Sequence, residues 1–225
     1  MTRNRWTGLA GLLYAICFAA ITIIVPSTPD TGDSDAVKQY ADFWNDSSHQ
    51  SRAVVAAMVL SYAFLLFLGF AAGLRDRLRA VDSGPLPSLV LGAGAVAAAL
   101  MLAGGVASFA VGITADQAKS FSADGKTAMI FDNLGYGMLA PAFMAAAVMA
   151  VAIGIVTLRT RVLPVWTAWL GFLLGLACVG SYFSAWTGFI GVPLWSGVIG
   201  IVLLLQRDAA PAVTDAPVRE SVTAT

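Results

Sequence analysis

The chain has 225 residues, of which 58% are hydrophobic and only 12% are charged. Soluble domains carry about 25% charged residues, so this composition excludes an ordinary soluble domain and indicates a chain that lies in lipid. The 13 basic and 13 acidic residues balance to a formal charge of zero. The chain therefore has no excess of basic residues that would favour nucleic acid as a partner.

Residues with reactive side chains are scarce. The chain has one histidine, His49, and two cysteines, Cys17 and Cys178, both within apolar runs. This argues against a secreted disulfide framework and against a four-ligand zinc site. We expect the two thiols to pack as small hydrophobic groups, and we expect neither a metal nor another cofactor.

Six apolar segments, separated by polar or Gly/Pro breaks, predict six transmembrane helices, because about 20 residues cross a hydrocarbon core of roughly 30 Å. The predicted spans cover residues 7–25, 53–74, 86–113, 134–158, 163–184 and 190–206. Arg3 and Arg5 ahead of the first span also resemble the start of a signal peptide. No A-x-A-like cleavage site follows them, so we expect an uncleaved first helix.

Two segments outside the spans have patterns of their own. In "DSDAVKQYADFW", Val37, Tyr40, Ala41 and Trp44 recur at helical spacing. This predicts a short amphipathic helix on the outer surface, capped by Asp33 or Ser34, with its aromatic side toward lipid or the bundle. The polar tail 207–225 is too short for a core of its own, and we expect it to be disordered.

The distribution of charge predicts the orientation. Cytoplasmic loops are enriched in Lys and Arg, and with the N-terminus inside, nine basic residues fall inside against four outside. The nine are Arg3, Arg5, Arg75, Arg77, Arg79, Arg159, Arg161, Arg207 and Arg219, and the four are Lys38, Arg52, Lys119 and Lys126. Eight of the 13 acidic residues fall outside: Asp30, Asp33, Asp35, Asp42, Asp46, Asp116, Asp124 and Asp132. Both termini are therefore predicted to be cytoplasmic.

Asp132 stands just ahead of the fourth apolar run, in "IFDNLGYGMLAP". Counting back from Arg159 places it about 9 Å beyond the outer end of a 20-residue span, in the headgroup zone. There we expect it to cap the fourth helix, since Asp and Asn often begin helices. In the alternative, a tilt or a kink at Pro141 lets Asp132 line an outer vestibule and pair with Arg52 or Lys126.

The middle of each predicted span lacks Asp, Glu, Lys, Arg and His. Proton-coupled pumps and voltage sensors need such residues within the membrane. Intramembrane serine proteases need a Ser–His pair, and haem-carrying bundles need axial histidines. We therefore predict that the protein is not an enzyme. The candidate residues for an outer vestibule or ligand site are Asp132, Asn133, Tyr136, Arg52, Tyr62 and Tyr182.

Small residues recur at four-residue spacing on several spans, as in the pairs Gly69 and Gly73 or Gly171 and Gly175. Such spacing lets helices approach closely in lipid. We expect it to serve packing within the bundle, with a membrane-protein partner or a second copy as the alternative. The six tryptophans lie near predicted boundaries and are interpreted as anchors at the membrane interface.

The segment "LRTRVLPVWTAWLGFLLG" resembles a family of multi-pass membrane proteins from actinobacteria whose function is not known. The N-terminal "RWTGLAGLLYA" and the outer "SDAVKQYADFW" are similar to that family too, and the resemblance extends over most of residues 3–205. It implies the fold and a bacterial location, and it carries no catalytic residues across.

The sequence thus predicts an all-α integral membrane protein of the bacterial cytoplasmic membrane, with one domain of six transmembrane helices over residues 1–206. The first functional hypothesis is a non-catalytic accessory or scaffold component, because the spans lack reactive groups. The second is a carrier or channel for a small neutral or apolar solute. The third is a lipid-modifying enzyme, which requires Asp132, His49 and Arg52 to converge at the outer interface.

Overall fold

The computed structural model describes residues 3–25, 27–118, 120–180 and 185–206. Within these ranges every regular element is a helix, which confirms the predicted all-α architecture. The helices are α1 Arg3–Ile24, α2 Ala36–Asn45, α3 Ser47–Arg79, α4 Leu86–Gln117, α5 Gly125–Thr160, α6 Val165–Val179 and α7 Ala185–Leu205. The predicted disordered tail, 207–225, lies outside the described residues.

Five of these helices, α1, α3, α4, α5 and α7, are long and apolar enough to cross a membrane. The shorter apolar helix α6 has 15 residues, against the 22 expected for the span 163–184, and residues 181–184 of that span are not described. The structure therefore confirms five of the predicted spans as helices of sufficient length and leaves the sixth shorter than expected.

The helices form a closed ring in which α1, α3, α4, α5, α6 and α7 each pack on the next, and α7 packs again on α1. The C-terminal ends of α3 and α5 lie close together: an Nη of Arg77 donates a hydrogen bond to the carbonyl oxygen of Val162, just after α5, at 3.2 Å. We call this the arginine end, after Arg75, Arg77, Arg79, Arg159 and Arg161. The opposite end carries α2, which rests on α3, α4 and α5, and we call it the α2 end.

Three helices are longer than a span requires. α3, α4 and α5 have 33, 32 and 36 residues, or about 48–54 Å at 1.5 Å per residue. α3 and α5 extend well beyond the apolar runs that predicted them, whereas α4 starts at the predicted residue 86 and ends four residues after 113. The fourth predicted span began at 134, but α5 begins at Gly125, where the Asp124 side chain accepts a hydrogen bond from the Thr127 backbone N–H at 3.0 Å. Hydropathy marks where a helix becomes apolar, whereas the cap marks where it starts.

The caps of α3 and α5 are alike. Asp46 accepts a hydrogen bond from the Ser48 backbone N–H at 2.8 Å, as Asp124 does from Thr127. These hydrogen bonds favour the charged carboxylates. They lower the pKa of Asp46, chiefly through Ser48, and the pKa of Asp124, chiefly through Thr127.

The predicted amphipathic helix is confirmed as α2. Its Ala36, Tyr40 and Trp44 are buried against the bundle, whereas the side chain of Val37 is 41% exposed. The predicted caps were wrong: the N-cap residue is Asp35, which makes no side-chain capping bond. The chain enters the helix through a backbone turn instead, in which the N–H of Ala36 donates to the carbonyl oxygen of Asp33.

Glycines set the closest helix crossings. A Cβ on Gly104 of α4 would lie 2.8 Å from the carbonyl oxygen of Gly135 on α5, and one on Gly8 of α1 would lie 2.7 Å from that of Gly200 on α7. Gly73 of α3 faces the side chain of Thr7. These glycines pack within the bundle, where small residues let backbones meet.

The tryptophans divide into two groups, so the uniform prediction of interface anchors was wrong. Trp6, Trp166 and Trp169 are 50% or more exposed. Trp44 and Trp195 are buried within the helix bundle, with 2% and 5% exposure. The side chain of Trp186 lies outside the described residues. Position near a boundary does not distinguish these groups, because the facing helix decides whether an indole is covered.

Candidate functional site

A partly enclosed cavity of about 260 Å³ lies between α1, α3, α4, α5 and α7, close to the α2 end. Most of its lining is apolar or aromatic, and its polar groups come from the α2 end of the bundle. The lining residues are Phe18, Ile21, Thr22, Val25, Ser27, Thr28, Leu60, Phe64, Met101, Gly104, Gly105, Ser108, Phe109, Asp132, Tyr136, Leu139 and Phe189.

Helical periodicity brings the walls of the cavity together. On α5, Asp132, Tyr136 and Leu139 follow one another at spacings of four and three residues, and such residues share a face. Met101 and Ser108 stand two turns apart on α4, a rise of about 10 Å. The cavity thus runs about two helical turns along the bundle, from an apolar floor to a polar mouth.

The floor is built from aromatic side chains. Tyr14, which is fully buried, packs on Phe67 with ring centroids 4.8 Å apart and on Phe18 at 5.9 Å. Phe18 also meets Phe189 of α7 edge-on at 4.7 Å. The hydroxyl of Tyr14 donates to the sulfur of Met101 at 3.8 Å. These contacts join four helices, α1, α3, α4 and α7, at the floor of the cavity and hold it in place.

The mouth is organised around Asp132, whose side chain is only 2% exposed. Its Oδ2 accepts a hydrogen bond from the hydroxyl of Tyr40 on α2 at 2.7 Å. Thr28 and Ser108 line the cavity together with Asp132, so further hydroxyl groups belong to the mouth. Burial, and then the neighbouring Asp132 carboxylate, raise the pKa of Tyr40. The phenol therefore keeps its proton and donates a hydrogen bond to Asp132.

The interpretation of Asp132 as a helix cap was wrong. α5 starts seven residues earlier, at Gly125, so Asp132 lies two turns inside the helix and its own helix needs no cap there. Arg52 and Lys126, the partners considered for Asp132 in a vestibule, are both exposed. Among the described residues neither makes an ion pair with Asp132; the partner is the phenol of Tyr40.

The other candidate residues are dispersed. Tyr136 lines the cavity, but Asn133 is exposed and absent from its lining. Tyr62 lies on the outside of α3 with 68% of its side chain exposed. Tyr182 lies outside the described residues. The structure thus brings Asp132 and Tyr136 together and leaves Asn133, Arg52 and Tyr62 elsewhere.

The trio required by the lipid-modifying enzyme is not joined by contacts. An imidazole nitrogen of His49, Nδ1, lies 2.9 Å from the carbonyl oxygen of Phe43, and the ring stacks on the Phe43 ring. In the described part of the chain, no hydrogen bond or ion pair links His49 or Arg52 to Asp132. The same residues contain no group of three or more His, Cys, Asp or Glu side chains arranged to hold a metal ion.

Sequence reasoning missed Tyr40 and Thr28 as members of the site. Tyr40 was recognised in the aromatic stripe of α2, but the partner of its hydroxyl, Asp132, lies 92 residues further along the chain. A tyrosine on the buried face of an amphipathic helix needs a partner for its hydroxyl. That requirement was the available signal, and it pointed to a polar group on the bundle below.

A larger groove of about 430 Å³ lies on the flank of the bundle between α4, α5 and α6. Its lining consists of aliphatic residues, methionine and one glycine, from Leu86 on α4 to Val179 on α6. Ligand sites generally combine an apolar lining with a few polar groups that orient the ligand. This groove has no such group, so the cavity beside Asp132 is the better candidate.

The bond between Tyr40 and Asp132 gives a direct test of the site. We expect Tyr40→Phe to destabilise the protein by about 1–3 kcal/mol, because it removes a donor from a buried carboxyl group. Thermal unfolding of the purified protein in detergent would measure the change. The matched control is Tyr62→Phe, which removes an exposed hydroxyl; equal effects of the two substitutions would contradict the assignment.

No family model, curated protein or solved structure matches the chain. The resemblance to actinobacterial membrane proteins therefore stays a prediction. The fold and the site define a class: an all-helical protein, with five helices compatible with a multi-pass membrane protein, that carries an aromatic cavity with a buried carboxyl group at its mouth.

Proposed function

We propose that this is a six-span protein of the bacterial cytoplasmic membrane that binds a small, largely apolar solute in the cavity beside Asp132, on the outer side. The observation that carries the proposal is the cavity itself, with its aromatic floor and its few polar groups gathered at one end. This arrangement is the usual composition of a ligand site. It favours the solute-binding hypothesis over a purely structural component.

The topology of the chain supports six crossings with both termini on one side. α7 ends at the arginine end, where an Nη of Arg77 donates to the side-chain oxygen of Gln206 at 2.5 Å. α5 also ends there, beside Arg159. The chain must therefore return to the α2 end between these two helices, and α6 is the segment that carries it. The arginine end is the cytoplasmic side in this proposal.

The position of the cavity along α5 supports access from the outer side. Leu139 lies 20 residues, or about 30 Å, from Arg159 along the helix, and Asp132 lies about 40 Å away. The hydrocarbon core is roughly 30 Å thick. The floor of the cavity then stands at the outer boundary of the hydrocarbon, and its polar mouth stands among the headgroups.

The size of the cavity limits the solute. Its volume of about 260 Å³ falls just below the roughly 300–1,000 Å³ of pockets for drug-sized ligands. A single ring or a short branched chain with one polar group matches this space and the distribution of its polar groups. 2-Phenylethanol is a suitable neutral probe of the site.

We expect 2-phenylethanol to stabilise the purified protein, by about 2.7 kcal/mol at 100 times its Kd. Thermal unfolding with increasing probe would measure this. Thr22→Phe, which enlarges a side chain in the cavity wall, is expected to weaken the probe at least about tenfold, or 1.4 kcal/mol. Ile23→Phe, on the next residue and 84% exposed, is the matched control. Equal probe affinities in the two variants would contradict the proposal.

A second candidate is the accessory component, in which the protein meets a partner or a second copy within the membrane. Gly69 of α3 and Gly92 of α4 are exposed, and a Cβ on either would meet no atom within 4 Å. Open glycines on neighbouring helices suit a close helix contact from outside. Native mass spectrometry of the wild type and of Gly69→Phe would test self-association through these glycines. A dimer in the wild type that is lost in the variant supports it, and a monomer in both opposes it.

A further inference from the structure

The carboxyl group of Asp132 has a phenol as its partner but no cationic partner in the described part of the chain. The hydroxyl of Tyr40 donates to Oδ2 of Asp132 at 2.7 Å, and Thr28 and Ser108 line the cavity beside it. The Asp132 side chain is 98% buried within the protein. Buried carboxylates are usually paired, because hydrogen bonds alone offset only part of the cost of removing a charge from water.

Asp132 is one of the residues that line the cavity. A ligand that enters the cavity therefore lies beside this residue. Tyr136 follows Asp132 by one turn of α5. Aromatic rings from four other helices line the rest of the space: Phe18, Phe64, Phe109 and Phe189. Aromatic rings attract cations as well as apolar groups, since each ring face carries partial negative charge. The cavity thus combines one acidic group with an aromatic enclosure.

The charges around the mouth are mostly negative. The segments at the α2 end contain eight acidic residues, Asp132 included, against four basic ones. Among these, Lys38, Arg52 and Lys126 are exposed, and no ion pair joins them to Asp132 in the described structure. An excess of negative charge around a cleft raises the local concentration of cations and disfavours anions.

We propose that the ligand of this cavity is a small organic cation, with an ammonium head that pairs with Asp132 and an apolar or aromatic body that fills the space above Met101 and Phe64. This inference rests on the proposed function, because it names the chemical class of the solute. If the inference is correct, the polar mouth binds the charged head of a ligand. In the alternative, the polar groups of the mouth only hold α2 in place.

Three probes with the same phenyl body and different heads test the proposal: 2-phenylethylammonium, 2-phenylethanol and 3-phenylpropanoate. Binding to the purified full-length chain in lipid nanodiscs would be measured by calorimetry. We expect the ammonium probe to bind at least about tenfold more tightly than the alcohol, and the carboxylate probe to bind most weakly. This order needs only the wild-type protein, so it decides the matter even where a variant does not fold.

Asp132→Asn is expected to bring the ammonium and alcohol affinities to within about threefold of each other, a difference of less than 0.7 kcal/mol. The matched control is Asp42→Asn, which removes an exposed acidic side chain of α2 that does not line the cavity. It preserves the preference for the ammonium probe, because the pairing carboxylate remains.

The outcomes separate the two proposals. If the alcohol binds as tightly as the ammonium probe in the wild type, and Thr22→Phe weakens both, the cavity binds solutes and the inference of a cation is overturned. The same holds if the carboxylate probe binds best. If none of the three probes binds, the proposed function itself fails.

Discussion

Gly135→Ala is expected to destabilise the folded protein by about 1–3 kcal/mol, the usual cost of forcing an additional group into a packed interior. The new Cβ would lie 2.6 Å from the carbonyl oxygen of Gly104 and would also collide with the side chain of Ser108. A backbone oxygen cannot rotate away as a side chain can, so α4 and α5 would have to separate. Thermal unfolding in detergent would measure the loss.

Gly137→Ala is the matched control, on the same helix and only two residues away. A Cβ there meets no atom within 4 Å. Alanine is favoured over glycine inside helices by up to about 1 kcal/mol, so this variant is expected to be as stable as the wild type or more stable. A similar loss in both variants would show that α4 and α5 do not cross at Gly135.

Trp44→Ala is expected to cost about 3–5 kcal/mol, as for other large aromatic side chains removed from a packed interior. The indole of Trp44 is 2% exposed. It lies against Gly112 of α4 and meets the Phe43 ring edge-on, with ring centroids 4.8 Å apart. Its removal opens a void where α2 rests on α3 and α4.

Thermal unfolding again provides the measurement, and limited proteolysis of the loop before α2 provides a second one. The control is Val37→Ala on the exposed face of the same helix, for which we expect a change within about 0.5 kcal/mol. Unchanged stability of Trp44→Ala would mean that α2 is not packed on the bundle. The Tyr40 contact with Asp132 would then need an independent explanation.

The sequence allowed the apolar helices to be predicted well, because hydropathy over 20 residues is a strong signal. α2 was recognised for a related reason, since Tyr40 and Trp44 mark one face of a short helix. The start of α5 at Gly125 was missed, because Lys126, Thr127 and Asp132 interrupt the apolar run without breaking the helix. Helix caps decide such boundaries, and they act through a single local hydrogen bond.

The candidate site was predicted less well than the fold. Asp132 attracted attention as a carboxylate beside an apolar run, and Tyr136 follows it by one turn of the same helix. Tyr62 was included for its hydroxyl alone and faces outward, because a uniformly apolar span gives no periodic signal for which side is covered. The pairing of Tyr40 with Asp132 depends on how α2 folds back over α5, and no local pattern encodes it.

The excess length of α3, α4 and α5 has a consequence for how a solute would reach the cavity. In the proposed orientation these helices carry its mouth out of the hydrocarbon while its floor stays at the hydrocarbon boundary. An amphiphile dissolved in the outer leaflet already has its head and body at these two depths, and so it would arrive by lateral diffusion in a matching pose. The occupancy of the cavity would then depend on the concentration of the solute in the lipid. For a solute that partitions into lipid, this concentration is higher than the one in water.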